Sequence, residues 1–172
     1  MNLKNVDFLQ NENLNQVKVF KNILDIKNDF NFNDILNLIQ YSYFQNSPKY
    51  PKHTGININD IFSHTFQIFD VRESEKLNEL HKQFSVLFKK GINDEKFRPD
   101  IFFSFRSSTG PLHADECNVF IIGLEGTTFY DIPSLKKIYE VNKTDAIFIP
   151  AKITHAATSI QKRIICSWSI FN

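Results

Sequence analysis

Gly110-Pro111-Leu112-His113-Ala114-Asp115, read with Asp145-Ala146-Ile147-Phe148-Ile149-Pro150 and the His155 behind it, decides the fold of this chain. The first segment sets an imidazole and a carboxylate two residues apart, beside a glycine-proline turn. The second is an apolar strand that Pro150 ends, with another imidazole in the loop that follows. In an extended chain, residues two apart face one side and lie roughly 6.6 Å apart. His113 and Asp115 are therefore expected to reach one ion, and His155 is the best candidate for a third ligand. Two imidazoles and one carboxylate leave three positions of an octahedral ion open, the donor set of a non-haem Fe(II) site. Alone, a His-x-Asp pair is most often two polar residues on a surface. The strand-proline-loop-histidine segment, and the apolar strand that Arg163 begins, make the metal reading the stronger one.

Around these segments the pattern is strand and turn. Strands are expected over 101–105, 112–122 (one long strand or two pieces), 127–132, 137–141, 146–149 and 163–171. Turns are expected at 107–111, 123–126, 133–134 and 142–145. Upstream, residues 1–15 read as a polar, loose lead-in, 16–20 as a short strand and 65–69 as another. Ile35, Leu36, Ile39 and Tyr43 predict a helix over about 34–44, with Asn33 as its N-cap and Asp34 in its first turn. A loop follows from Ser47 through Gly55. The clearest helix runs over 75–90: Ser74 caps it, Leu77, Leu80, Phe84, Leu87 and Phe88 form its apolar stripe, and Gly91 closes it. Helices followed by closely spaced strands predict a mostly-β chain of about eight strands from residue 97 on, with helices packed outside a sandwich or barrel. With no repeat and no linker, 1–172 reads as a single domain, 1–96 its helical support and 97–172 its β core.

Composition narrows the function classes. The 20 basic and 19 acidic residues leave a net charge of +1, which gives no electrostatic footprint for nucleic acid or an anionic membrane. The 18 phenylalanines predict an aromatic core. Cys117 and Cys166 read as reduced residues in strands, the mark of a reducing compartment. No apolar signal core and no run of membrane-spanning length is present, so a cytoplasmic protein is expected. Heavy use of Asn, Ile, Lys and Phe fits an AT-rich coding sequence, from a low-GC microbe or a virus.

Gly110-Pro-Leu-His-Ala-Asp, Asn118, the Gly123–Gly126 turn and Thr144-Asp-Ala-Ile-Phe-Ile-Pro ahead of His155 together resemble the cupin-like and JmjC-like branch of the 2-oxoglutarate/Fe(II)-dependent oxygenases. The resemblance covers about residues 100–171, and small members of this kind occur in bacteria and phages. It implies a double-stranded β-helix, an Fe(II) ligand set of His113, Asp115 and His155, and 2-oxoglutarate and O₂ as co-substrates. In the JmjC-like branch a lysine after the glycine turn often anchors the distal carboxylate of 2-oxoglutarate. Here Gly126-Thr127-Thr128-Phe129-Tyr130 has no lysine. In the prolyl-hydroxylase-like branch an arginine opens the last strand, and Arg163-Ile164-Ile165-Cys166-Ser167-Trp168-Ser169 is similar to that segment. Arg163 is then expected to pair the carboxylate, with Ser167 on the same strand face; its bland alternative is a solvated strand-edge residue like Lys162.

Thr128 and Tyr130 share a strand face and are expected to contact 2-oxoglutarate, although core packing explains Tyr130 as well. Asn118 is expected behind the ligands or against the co-substrate. Arg106 suits a substrate anion or a surface ion pair equally. Cys117 reads as a small buried residue. His53 and His64 have no partner at ligand spacing, and His81 reads as a helix-surface histidine. The leading expectation is an Fe(II)/2-oxoglutarate-dependent hydroxylase whose primary substrate is a small molecule, a protein side chain or a nucleobase. Two alternatives remain open at this point: a metal-binding cupin with 2-oxoglutarate-independent dioxygenase or isomerase chemistry, and a non-catalytic cupin that binds a ligand. Oligomeric state is left open.

Overall fold

Nearly every side chain of the run Asn118–Glu125 is buried, so both faces of the sheet that holds it must be covered. The computed structural model describes residues 1–4, 14–25, 30–44 and 65–171, with the side chains of the first helix described as far as residue 38. His53, His64 and the expected 47–55 loop lie outside the described residues, as do the side chains of Ile39 and Tyr43.

The strands are β1 (Asn2–Leu3), β2 (Lys18–Phe20), β3 (Leu24–Asp25), β4 (Phe66–Ile68), β5 (Pro99–Ser104), β6 (Ser108–Thr109), β7 (Asn118–Glu125), β8 (Thr128–Ile132), β9 (Lys137–Val141), β10 (Ala146–Ile149), β11 (Ala156–Ser159) and β12 (Arg163–Ile170). The helices are α1 (Phe32–Phe44) and α2 (Glu75–Leu87). A six-stranded antiparallel sheet runs β2-β10-β7-β12-β5-β4 and a four-stranded one runs β6-β11-β8-β9. This is a double-stranded β-helix with helices outside it.

Strand alternation divides the core in two. Phe120, Ile122, Phe148, Ile164, Cys166 and Trp168 point from the larger sheet into one cluster with Leu77, Leu80 and Phe84 of α2 and Ile35 of α1. Val119, Ile121, Ile147, Ile149 and Ile165 point the other way, into a second cluster with Tyr130, Ile132 and Val141 of the smaller sheet. The second cluster is the sandwich interior. The first is the aromatic seam under the helices, where the rings of Phe84 and Trp168 lie 4.7 Å apart.

The helices begin and end differently from the sequence reading. Asn31, not Asn33, caps α1: its Oδ1 accepts from the Asn33 amide at 2.9 Å, and Asp34 Oδ2 accepts from the Asn31 amide at 2.8 Å. That reciprocal pair is a capping box. Leu36 is exposed, and Leu38 joins Ile35 in the core instead. Ser74 sits at the N-cap of α2 without a side-chain cap bond. Lys89, not Gly91, closes α2. It adopts φ 53°, and the Lys90 and Lys89 amides donate to Ser85 O and Val86 O at 2.9 and 3.3 Å. That is a Schellman end built on a non-glycine residue.

His81 is fully buried, not on the helix surface. Its Nε2 lies 2.8 Å from Ile92 O, which only accepts, so Nε2 carries the proton. Nδ1 then accepts from Trp168 Nε1 at 3.3 Å. The ring thus ties α2 to the central strand β12.

Gly123 lies inside β7 rather than in a turn. A Cβ there would overlap Asn142 O, because the 142–145 turn crosses at that point. Part of the expected 107–111 turn is the short strand β6, and the expected lead-in contributes β1, which pairs with β3. Both cysteines are free and buried, and burial holds the Cys166 thiol well above its ordinary range.

Candidate functional site

His113 and Asp115 do not lie in a strand. Residues 110–117 form a loop in which only His113 makes a β-bridge, and its partner is His155. The His113 amide donates to His155 O at 3.0 Å and the His155 amide to His113 O at 2.8 Å. The Lys152 amide donates to Asp115 O at 2.8 Å, and the Ala151 amide to Asn118 Oδ1 at 2.9 Å. Four hydrogen bonds therefore stitch the loop after β10 to the loop before β7. Asn118 is a strut in this frame.

The ligand atoms of His113, Asp115 and His155 lie within 4.8 Å of one another, with His113 exposed, Asp115 half-buried and His155 buried. Both rings are held by the same local device. His113 Nδ1 lies 2.9 Å from Pro111 O and His155 Nδ1 lies 3.0 Å from Ile153 O. A carbonyl oxygen only accepts, so each Nδ1 carries a proton and each Nε2 is the nitrogen left free to meet a metal. His155 Nε2 faces Asp115 Oδ2 at 3.6 Å. A divalent cation between them would meet both donors. Ligands about 2.0–2.2 Å from one ion lie about 3 Å apart when cis, so a small closure of these side chains would bring the three donors onto one ion. The residues fit a divalent metal. They converge because two loops are bridged, not because the chain alternates as a strand.

Arg163 opens β12 on the face that Ile165 shares, toward the sandwich interior. It is 2% exposed, and Nε and Nη1 have no hydrogen-bond partner among the described residues. It is not the solvated edge residue that Lys162 is. Burial pulls its guanidinium below the ordinary arginine range, and the neighbouring Tyr130 works against that shift. The Tyr130 hydroxyl is also buried without a partner among the described residues, and burial pushes its pKa up. Thr128 is buried two residues before it on β8. Ser167 lies about 13 Å along the strand from Arg163, too far for both side chains to share one carboxylate as expected. Nothing in the sequence marks Thr65, Ser104 or Ser108, yet their hydroxyls lie in the same region: Arg163 Nη2 reaches Thr65 Oγ1 at 3.5 Å. Only the strand register could have found them.

The fold, a six-stranded and a four-stranded antiparallel sheet packed face to face, is the double-stranded β-helix. No protein-family model and no curated protein matches the sequence. Among solved structures, the chain is similar to *Escherichia coli* YcfD, described as a ribosomal oxygenase, with a TM-score of 0.65 and 16% identity over all of this chain and 52% of that one. A second structure of *E. coli* YcfD gives 0.65 and 14%, over 100% and 54%. A cupin superfamily protein from *Desulfitobacterium hafniense* aligns over 46% of this chain and 72% of its own at 10% identity, with a TM-score of 0.43. At these identities the likeness to YcfD is one of fold. The chain spans about half the length of YcfD. No helix among the described residues is long and apolar enough to cross a membrane.

Proposed function

We propose that this chain is an Fe(II)- and 2-oxoglutarate-dependent oxygenase. The observation that carries the reading is Arg163, a cation buried in the sandwich interior whose Nε and Nη1, like the Tyr130 hydroxyl beside it, have no hydrogen-bond partner among the described residues. A buried charge without a counter-ion costs several kcal/mol, and a carboxylate brought by a ligand removes that cost. A dicarboxylate with a metal-chelating end would engage both this cation and the His113-Asp115-His155 cluster.

When bound, Fe(II) and 2-oxoglutarate supply the activation of O₂, with decarboxylation to succinate. The chain's own residues bind and orient. His113 and His155 offer Nε2, Asp115 offers a carboxylate oxygen, and the backbone bridge keeps these donors in place. Arg163 pairs the distal carboxylate and Tyr130 donates its hydroxyl proton. Val119, Ile121, Ile147, Ile149 and Ile165 make the interior apolar and exclude water, which strengthens the charge pair.

The test is a 2-oxoglutarate titration of the anaerobic Fe(II)-loaded protein, followed by its metal-to-ligand charge-transfer absorbance. A band is expected in wild type, together with succinate release matched to O₂ uptake. A wild-type protein that binds iron and gives no band is a plain metal cupin.

A further inference from the structure

The registers of three neighbouring strands place Arg163 in a row. Arg163 of β12 stands opposite Ser104 of β5. Phe66 of β4 stands opposite Phe103 of β5, so the next residue pair along that register is Thr65 and Ser104. Directly opposed residues share a face. Thr65, Ser104 and Arg163 therefore line up across one end of the larger sheet. Ser108, from β6 of the smaller sheet, closes the row from the other side: Thr65 Oγ1 lies 3.0 Å from Ser108 Oγ, and Ser108 Oγ lies 3.1 Å from Ser104 Oγ.

The row of hydroxyls runs in one direction. A guanidinium has only donors, and a hydroxyl has one donor and two acceptor sites. Thr65 Oγ1 accepts from Arg163 Nη2 and donates to Ser108 Oγ, and Ser108 Oγ donates to Ser104 Oγ. We propose that the Thr65-Ser108-Ser104 hydroxyls are the positioning residues of the co-substrate pocket. They hold one Nη2–H of Arg163 and leave a complete two-proton edge of the guanidinium for a carboxylate. This rests on the 2-oxoglutarate reading above. Held by one neutral acceptor, the cation is oriented without being neutralised, so its affinity for an incoming anion is kept. An aspartate in place of Thr65 would orient it equally well and fill the pocket's charge.

The experiment is calorimetric titration of the anaerobic Fe(II)-loaded protein with two probes. One is 2-oxoglutarate; the other is 2-oxopentanoate, which has the same chelating end and no distal carboxylate. Thr65→Val should weaken 2-oxoglutarate binding about 3- to 10-fold, the worth of one hydrogen bond, with 2-oxopentanoate and Fe(II) affinities unchanged. Thr65→Ser should restore binding. Ser108→Ala, which strands the Thr65 proton, should act in the same direction and carries the test if Thr65→Val does not fold. Equal loss for both probes, or a fall in Fe(II) affinity, overturns the positioning role in favour of a merely structural one. If Arg163→Ala loses 2-oxoglutarate binding and neither hydroxyl variant does, the positioning role fails alone. If wild type binds no 2-oxoglutarate, or Arg163→Ala binds it as well as wild type, both readings fail together.

Discussion

His113 and His155 are joined by their backbones, each amide donating to the other's carbonyl, so the separation of the two imidazoles is set before either side chain meets a metal. Removing one imidazole leaves that ring of two hydrogen bonds intact. His155→Ala should therefore fold with its sheets unchanged and lose at least about 100-fold in metal affinity, beyond the loss typical of residues behind the ligands. Far-UV circular dichroism and an Fe(II) or Mn(II) titration read the two properties separately. Tight metal binding in His155→Ala would remove His155 from the site.

Arg163 is buried with no counter-ion among the described residues, so Arg163→Met should raise stability of the ligand-free fold to urea by on the order of 1 kcal/mol or more. Added 2-oxoglutarate at 100 times its Kd should stabilise wild type by about 2.7 kcal/mol and the variant hardly at all. A variant less stable than wild type without ligand would mean that the cation is already paired.

His81 predicts an acid limb. Burial, the largest cause, lowers its pKa below the ordinary 6.5, with Arg72 adding to the shift and the Ile92 carbonyl and Asp70 opposing it. Between that lowered value and about 6.5 the unfolded chain holds a proton that the folded chain does not. Stability is thus complete above about pH 6.5 and falls as the pH drops through the window below it. Urea midpoints from pH 7.5 to 5 should show this slope, reduced in His81→Gln. An unchanged slope in that variant would assign the acid loss to other groups.

Gly126 abuts the start of β12. It adopts φ 69°, and a Cβ there would overlap Lys162 O. Gly126→Ala should destabilise the fold by about 1–3 kcal/mol, from backbone strain and displacement of Lys162. It should also weaken 2-oxoglutarate binding, since Arg163 moves with Lys162. Metal affinity should hold, because the stitched loops that carry the ligands are elsewhere.

The fold was legible where side chains alternate. The strands at 137–141 and 146–149 read correctly to the residue, since Val141 and the four buried residues of β10 are bounded by clear turns. β11 is Ala-Ala-Thr-Ser and β6 is Ser-Thr; neither has an apolar face to betray it. His81 misled because one polar residue beside an apolar stripe looks solvated until Trp168 arrives from far along the chain. Motif singled out His113, Asp115, His155 and Arg163; the structure brings the ligand atoms of the first three within 4.8 Å of one another and buries the fourth. The strand geometry offered for the first two was wrong, and the pairing of Arg163 with Ser167 overlooked how far four extended residues reach. Thr65 and Ser108 were invisible because their proximity to Arg163 exists only through pairing across three strands.

β12 follows every other strand in sequence yet lies between β7 and β5, at the centre of the larger sheet. Until it inserts, β7 with β10 and β2 forms one open-edged piece and β5 with β4 another, with no strand to join them. Such long-range closure belongs to the slow class of folding reactions. The same step carries Arg163 inward and supplies Trp168 to His81. Refolding should therefore show burial of the tryptophan and recovery of the proposed 2-oxoglutarate binding in a single kinetic phase: the buried arginine and the tertiary fold come into being together.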